Sequence, residues 1–210
     1  MLQVIQFATK GYDNNFSYLI YDEQSKEAII VDPCGNIQLI EKEIEKKNLQ
    51  LNYIINTHSH FDHIEKNKEI KTSYNCKILM HENEKYSEEK IDKKLKHNEI
   101  ITLGNFHIRI LNTPGHTKGS ICLFFENKQH KYLITGDTLF INTIGRIDLE
   151  EGNKLAMYDS LYNKILQLDE NTIILPGHDY GSMPSDTLKN QKKSNPFLKC
   201  KSKEEFMKMF

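Results

Sequence analysis

The sequence predicts an α/β fold in which sheets are covered by helices on their outer faces. Short apolar, β-branched stretches, which are typical of buried strands, recur along the 210 residues. Between them lie segments whose apolar residues recur every three or four positions, as on one face of an amphipathic helix. Many short strands interrupted by helices favour mixed layers of sheet and helix over an all-α or all-β architecture.

Nine strands are predicted from apolar, β-branched stretches. In chain order they are Gln3–Ala8, Phe16–Tyr21, Ala28–Val31, Tyr53–Asn56, Lys77–Met80, His107–Leu111, Ile121–Phe125, Tyr132–Ile134 and Thr172–Leu175. Cys122 lies inside the seventh of these strands and is expected to be buried.

Three helices are predicted, and Asn36 is expected to cap the first of them. The segment Asn83–Asn98 is rich in Lys and Glu, and we expect an exposed helix or loop there, between two strands. The apolar stripes of the helices are Ile37, Ile40 and Ile44 in Asn36–Lys47, Leu155, Tyr158, Tyr162 and Ile165 in Asn153–Leu168, and Phe206, Met207 and Phe210 near the C-terminus.

Length and composition exclude several classes of protein. The 210 residues, without repeat or low-complexity linker, predict a single domain over residues 1–210. With 28 basic and 29 acidic residues, the chain has no charge excess to attract nucleic acid or an anionic membrane. The four cysteines are widely spaced, which favours reduced thiols over disulfides. No secretory signal or apolar run of ~18 residues appears, so we expect a cytoplasmic protein.

The most informative segment is Thr57-His58-Ser59-His60-Phe61-Asp62-His63, with three imidazoles and one carboxylate within six residues. It follows Leu51–Asn56, an apolar run that is typical of a buried strand. Polar side chains at the end of a strand lie where open α/β sheets keep their chemistry. Packing or capping does not account for this density of ligand side chains, so the segment predicts a metal site.

Three further candidate ligands, His116, Asp137 and His178, each follow a predicted strand and a glycine that allows a sharp turn. Together the candidates comprise five imidazoles and two carboxylates, more than one tetrahedral ion uses. Such a set suits two divalent ions that share a bridging carboxylate and a bridging water. Imidazole and carboxylate ligands suit zinc, our first expectation, and also iron or manganese.

These residues resemble the metallo-β-lactamase-fold superfamily, whose H-x-H-x-D-H motif is matched in full by His58–His63. The resemblance implies an α/β (α+β) fold, a four-layer αβ/βα sandwich with a dinuclear site at one edge. It implies catalytic roles for the two carboxylates, Asp62 and Asp137. The implied ligands are His58, His60 and His116 for the first metal, Asp62, His63 and His178 for the second, and Asp137 as the bridge.

Within the superfamily, the chain resembles two branches that act on glutathione conjugates, the glyoxalase II-like hydroxyacylglutathione hydrolases and the persulfide dioxygenases. The segment Gly145-Arg146-Ile147-Asp148-Leu149 is similar to a Gly-Arg-Thr-Asp segment in both branches. Ile144 stands where the dioxygenases are expected to carry Cys, which favours hydrolysis. We expect the short form, without the helical C-terminal domain of full-length glyoxalase II, and this leaves the thiol carrier open.

Three functions are therefore considered. The first is a hydrolase of a small thioester, hydroxyacylglutathione or a related acyl-thiol, that uses a metal-bridging hydroxide. The second is a dioxygenase of glutathione persulfide with one Fe(II) on His58, His116 and Asp137. The third is a metal-binding module without catalysis, which the large number of ligands disfavours.

Three residues near the motifs have two interpretations each. The resemblance implies that Asp32 orients a ligand imidazole, whereas the alternative is an ordinary turn residue at the end of a strand. Arg146 could hold a substrate carboxylate or form a surface ion pair with Asp148. Tyr180 could contact the thiol carrier or only pack against its neighbours. Of the histidines outside the motifs, His81 is the one candidate for proximity to the site.

Overall fold

The computed structural model describes residues 1–86 and 90–210. Its strands are β1 (Leu2–Ala8), β2 (Phe16–Asp22), β3 (Glu27–Val31), β4 (Gln50–Ile55), β5 (Lys77–His81), β6 (Lys93–Leu95), β7 (Ile100–Leu103), β8 (Phe106–Asn112), β9 (Ile121–Glu126), β10 (Lys131–Gly136), β11 (Leu139–Phe140), β12 (Thr143–Ile144), β13 (Ile173–Pro176) and β14 (Asp186–Thr187). Its α-helices are α1 (Gln38–Lys47), α2 (Phe61–Ile64), α3 (Asn67–Tyr74), α4 (Lys154–Asp159), α5 (Leu188–Ser194) and α6 (Lys203–Met207). Helix α4 continues through a π-helical turn, Ser160–Lys164, and a 3₁₀ turn, Ile165–Gln167.

The described strands form two large sheets and a small ribbon of β11 and β12. The first sheet has the order β1-β2-β3-β4-β5-β6, antiparallel from β1 to β3 and parallel from β3 to β6. The second has the order β14-β13-β10-β9-β8-β7, in which β10 and β13 are the parallel pair. Parallel strands need helical crossovers, and α1 and α3 supply them in the first sheet.

Buried apolar side chains form three clusters, one between the two sheets and one on the outer face of each sheet. Between the sheets, side chains such as Ile20, Ile55 and Leu123 form one buried cluster. Helices α1 and α3 cover the outer face of the first sheet, and α4, α5 and α6 cover that of the second. The order helix, sheet, sheet, helix is the predicted four-layer sandwich, so the predicted fold class is confirmed. No described helix is both long and apolar enough to cross a bilayer.

All nine predicted strands appear with bounds within three residues of the prediction. Three details of the helices differ. Helix α1 begins at Gln38, so Ile37 and not the predicted Asn36 occupies the N-cap position, although the Asn36 side chain accepts a hydrogen bond from Gln38 N at 3.3 Å. Leu155 is exposed, because the buried stripe of this helix comprises Met157, Leu161 and Ile165.

The segment Asn83–Asn98 was expected to be an exposed helix or loop, and this is wrong for part of it. Strand β6 lies within it and pairs in parallel with β5, so that Leu95 is buried at the edge of the first sheet. A three-residue strand with two lysines has too little apolar pattern to be recognised in the sequence. Residues 87–89 of the segment lie outside the described residues. Cys122 is buried, as predicted.

Candidate metal centre

The ends of four strands meet at one edge of the sandwich, and the segments that follow them carry all seven predicted ligands. In the first sheet, β4 leads into the segment of residues 56–63, in which the short helix α2 carries Asp62 and His63. In the second sheet, β8, β10 and β13 lead to His116, Asp137 and His178. Six of the side chains fall into two groups of three, and a third group joins Asp137 to one histidine of each, His58 and His63. In each group the ligand atoms lie within 4.8 Å of one another.

The first half-site comprises His58, His60 and His116. His60 Nδ1 lies 3.1 Å from His58 Nε2 and 2.9 Å from His116 Nε2. His58 and His116 are buried, and His60 is partly accessible. Three imidazole nitrogens that converge on one point provide a trigonal face for a divalent ion and leave further positions open.

The second half-site comprises Asp62, His63 and His178. His63 Nε2 and His178 Nε2 are 3.1 Å apart, and Asp62 Oδ2 lies 3.5 Å from the first nitrogen and 3.4 Å from the second. These atoms come from α2 and from the loop after β13, so the two sheets contribute to the same half-site.

Asp137 lies between the two half-sites. Its Oδ2 is 3.5 Å from His116 Nε2 and 3.4 Å from His178 Nε2, and its Oδ1 is 3.4 Å from His63 Nε2. Oδ1 is buried and has no hydrogen-bond partner among the described residues. A buried carboxylate oxygen without a donor is unfavourable, and a cation supplies the missing interaction. The residues present therefore fit divalent metal ions.

Backbone carbonyls fix the orientation of one imidazole in each half-site. His116 Nδ1 lies 2.7 Å from Arg146 O, and His178 Nδ1 lies 2.7 Å from Asp13 O. A carbonyl oxygen only accepts hydrogen bonds, so in each ring Nδ1 carries the proton. The Nε2 lone pair consequently faces the centre, as a metal ligand requires.

Asp32 orients two further imidazoles. Its buried carboxylate accepts hydrogen bonds from His63 Nδ1 at 3.0 Å, from Thr57 N at 2.7 Å and from the Thr57 hydroxyl at 2.6 Å. Because that hydroxyl donates to Asp32, its oxygen accepts from His58 Nδ1, at 3.1 Å. The structure therefore links Asp32 to candidate ligands of both half-sites, to His63 directly and to His58 through Thr57.

The electrostatics differ between the imidazoles. Burial and the neighbouring His63 lower the pKa of His58 well below its usual value, so His58 is neutral at pH 7. Burial alone would lower the pKa of His63, but the carboxylates of Asp137 and Asp32 outweigh it and raise that pKa well above its usual value. A cation at the second half-site therefore competes with a proton on His63.

Two positioning residues could not be found from the sequence. Glu84 is buried and accepts hydrogen bonds from Ser59 N at 2.9 Å, from the Ser59 hydroxyl and from the Thr117 hydroxyl. Since Ser59 and Thr117 neighbour the ligands of the first half-site, one carboxylate joins both loops. Asn15 Nδ2 donates to Asp62 Oδ2 at 2.9 Å and thereby holds a ligand of the second half-site.

Three other candidates have clear places in the structure. Arg146 forms a two-point ion pair with Asp148, at 3.0 and 2.9 Å, on the surface beside the centre. Tyr180 stacks on His178 with ring centroids 4.8 Å apart, and its hydroxyl donates to Asp13. His81 is buried outside the ligand groups, where its Nδ1 accepts from the backbone at 3.3 Å.

Two facing sheets with a cluster of imidazoles and carboxylates at one edge define a class of metal-binding α/β sandwich proteins. The sequence profile of the metallo-beta-lactamase superfamily matches residues 11–178. The chain belongs to the metallo-beta-lactamase superfamily, which confirms the resemblance seen in its H-x-H-x-D-H motif.

Relatives of two kinds match the chain. It is 38% identical over 182 residues to a hydroxyacylglutathione hydrolase from Dictyostelium discoideum, an alignment that covers 84% of this chain and 64% of that protein. The chain thus spans less than two thirds of that relative. It is 32% identical over 196 residues to the human mitochondrial persulfide dioxygenase ETHE1, covering 92% of this chain and 75% of that protein. The crystal structure of ETHE1 from Myxococcus xanthus superposes with a TM-score of 0.83 at 26% identity, covering 100% of this chain and 89% of that chain.

Proposed function

We propose that this chain is a metal-dependent thioester hydrolase that cleaves hydroxyacylglutathione or a related small acyl-thiol. The observation that carries the proposal is that both half-sites are complete and that Asp137 contacts ligands of each. His58, His60 and His116 would hold one ion, Asp62, His63 and His178 the other, and Asp137 would contact both. Zinc is the first expectation, with iron or manganese as alternatives. The similarity to a hydroxyacylglutathione hydrolase supports the same reaction.

Bound divalent ions would lower the pKa of a water molecule towards neutrality and polarise the substrate carbonyl. Within the chain, Asn15 donates to Asp62 Oδ2 and orients that carboxylate, whose other oxygen can accept the proton of the attacking water. The water oxygen forms a bond to the thioester carbon, and the carbon–sulfur bond breaks to release a thiolate and a carboxylic acid. A thiolate is a stable leaving group, so the reaction needs no strong general acid beyond the ligands.

A second candidate is a persulfide dioxygenase, which the similarity to ETHE1 favours. That activity would use His58, His116 and Asp137 as the ligands of a single iron, and His116 Nε2 lies 3.5 Å from Asp137 Oδ2. Ile144, buried in β12, stands where a cysteine is expected in that branch, so we rank this function second.

Elemental analysis of the natively expressed protein, paired with two substrates, distinguishes the candidates. A hydrolase is expected to contain two ions per chain and to release thiol from a glutathione thioester in the absence of O₂. One iron per chain, with O₂ consumption on glutathione persulfide, would instead establish the dioxygenase. If wild type shows neither activity and His58→Ala only lowers the metal content, the third interpretation, a non-catalytic module, is favoured. Cytoplasmic location and the absence of nucleic-acid or membrane partners stay predictions.

A further inference from the structure

Two aromatic side chains that the fold leaves in water lie at the edge of the metal centre. Tyr12 is 80% exposed and Phe61 is 54% exposed. Their rings meet edge to face, with centroids 4.7 Å apart. Aromatic rings in this arrangement present a defined apolar surface, and covering such a surface with an apolar ligand is favourable.

Each ring belongs to a residue that directly precedes either a member of the second half-site or a residue that is hydrogen-bonded to one. Phe61 directly precedes Asp62, a ligand of that half-site. Tyr12 directly precedes Asp13, whose carbonyl oxygen accepts the hydrogen bond of His178 at 2.7 Å. The pair is therefore held beside the second half-site from two different segments of the chain.

The loop that carries Tyr12, residues 9–15, is fixed at both ends. Thr9 N and the Thr9 hydroxyl both donate to Asn15 O at 3.1 Å. The Asn15 side chain donates to Asp62, and the hydroxyl of Tyr180 donates to the Asp13 carboxylate. A ring presented on a fixed loop loses little conformational freedom when a ligand binds, so its contact contributes efficiently to affinity.

The other flank of the centre has the opposite character. Beside the first half-site, Arg146 accepts the His116 hydrogen bond through its carbonyl oxygen and presents its guanidinium to solvent, paired with Asp148. A thioester also has two unlike ends, an acyl group and a thiol. A glutathione-type thiol carries carboxylates and an ammonium group, which suit the charged flank. The acyl group then lies towards the aromatic flank.

We propose that Tyr12 and Phe61 form an acyl subsite, which selects thioesters whose acyl group is aromatic or branched aliphatic. The proposal rests on thioester hydrolysis as the proposed function and adds the class of acyl group. Tyr12 and Phe61 are the two side chains that would discriminate between a large apolar acyl group and a small one.

The selectivity test compares two glutathione thioesters, of mandelic acid and of lactic acid, whose acyl groups differ by a phenyl in place of a methyl group. Wild type is expected to show the higher kcat/KM for the mandeloyl substrate. Tyr12→Ala should lower the mandeloyl-to-lactoyl ratio by about fivefold, the loss of one aromatic contact, and Tyr12→Phe should preserve it. Leu39→Ala, which removes an exposed apolar side chain from α1, should leave the ratio unchanged.

A binding test separates this proposal from the proposed function. Calorimetry on metal-loaded protein measures the affinity for mandelate and for lactate without any hydrolysis. Tighter mandelate binding that weakens about fivefold in Tyr12→Ala supports the subsite even if no thioester is cleaved, in which case only the proposed function fails. Equal affinities in wild type, or a mandelate affinity that Tyr12→Ala leaves unchanged, overturn the subsite. Loss of self-association in Tyr12→Ala without a change in selectivity also overturns it.

Discussion

At the scale of single residues, Asp32 has the widest influence on the centre, because one carboxylate sets the orientation of His63 directly and of His58 through Thr57. In Asp32→Asn, the amide nitrogen cannot accept, so one of these hydrogen bonds is lost. We expect metal affinity to fall about 10- to 100-fold, measured by competition with a chromophoric chelator. Asp169→Asn, a surface change, is the matched control. Equal affinities in Asp32→Asn and wild type would contradict the assignment.

Glu84 leads to a second prediction at this scale. Replacing it by Gln keeps the shape but turns one accepting oxygen into a donor, which faces the donors of Ser59 and Thr117. We expect Glu84→Gln to lower the free energy of unfolding by about 1–3 kcal/mol and to reduce metal content at the first half-site. Urea denaturation and elemental analysis measure the two effects. Glu82→Gln, on the exposed surface of the same segment, should change neither.

The grouping of the candidate ligands could be predicted from the sequence, and these supporting residues could not. Four ligands lie within His58–His63, and the others each follow a glycine at the end of a strand, so their signal is local. Glu84 stands in a segment rich in Lys and Glu, where nothing distinguishes it from a surface residue. Its role comes from the pairing of loops that are 25 and 33 residues away.

At the scale of elements, the link between α3 and β5 depends on pH. Asp92 accepts from Lys71 Nζ at 2.7 Å and from Ile78 N at 2.9 Å, and although burial opposes them, these partners lower its pKa. A lowered pKa means that the ionised form stabilises the fold. That stability is complete above the unfolded pKa of about 3.9 and is lost as the pH falls through the folded pKa.

The corresponding variant is Asp92→Asn. We expect it to lower the free energy of unfolding by about 1 kcal/mol at pH 7, because the ion pair is partly exposed. Urea titrations of both proteins at pH 7, 5 and 3 should show this difference shrinking at the lowest pH. A difference that stays constant from pH 7 to pH 3 would contradict the role of the charge. Glu45→Gln, which changes an exposed carboxylate of α1, serves as the control and should leave the free energy of unfolding nearly unchanged at each pH.

The strands of this chain could be predicted better than its helices. A buried strand needs only a short apolar run, whereas the buried face of a helix depends on where its neighbours lie. The helix from Lys154 turns Met157 and Leu161 towards the second sheet, while Tyr158 and Tyr162 contact Phe206 of α6. That contact depends on the tertiary fold, so the sequence alone placed the exposed Leu155 wrongly in the core.

At the scale of the whole molecule, the centre joins the two halves of the sandwich. The first sheet contributes Asp32 and the segment of residues 56–63, and the second contributes His116, Asp137 and His178. Gly177 allows this close approach, since a Cβ there would lie 2.5 Å from Asp137 Oδ1. Five imidazoles and two carboxylates brought together this closely are unfavourable until a cation is bound. Metal binding should therefore stabilise the whole fold.

Removal of metal tests this link between site and fold. A ligand that binds only the folded state, present at a thousand times its Kd, stabilises it by about 4 kcal/mol. For a chain of this size, that corresponds to a fall in Tm of about 10 °C when a chelator strips the metal. Thermal denaturation followed by circular dichroism, with and without chelator, measures the shift, and added zinc should restore it. In the double variant His58→Ala, His178→Ala each half-site lacks one imidazole, and its Tm should be the same with and without chelator. If the chelator also leaves the Tm of wild type unchanged, the centre does not stabilise the junction of the two sheets.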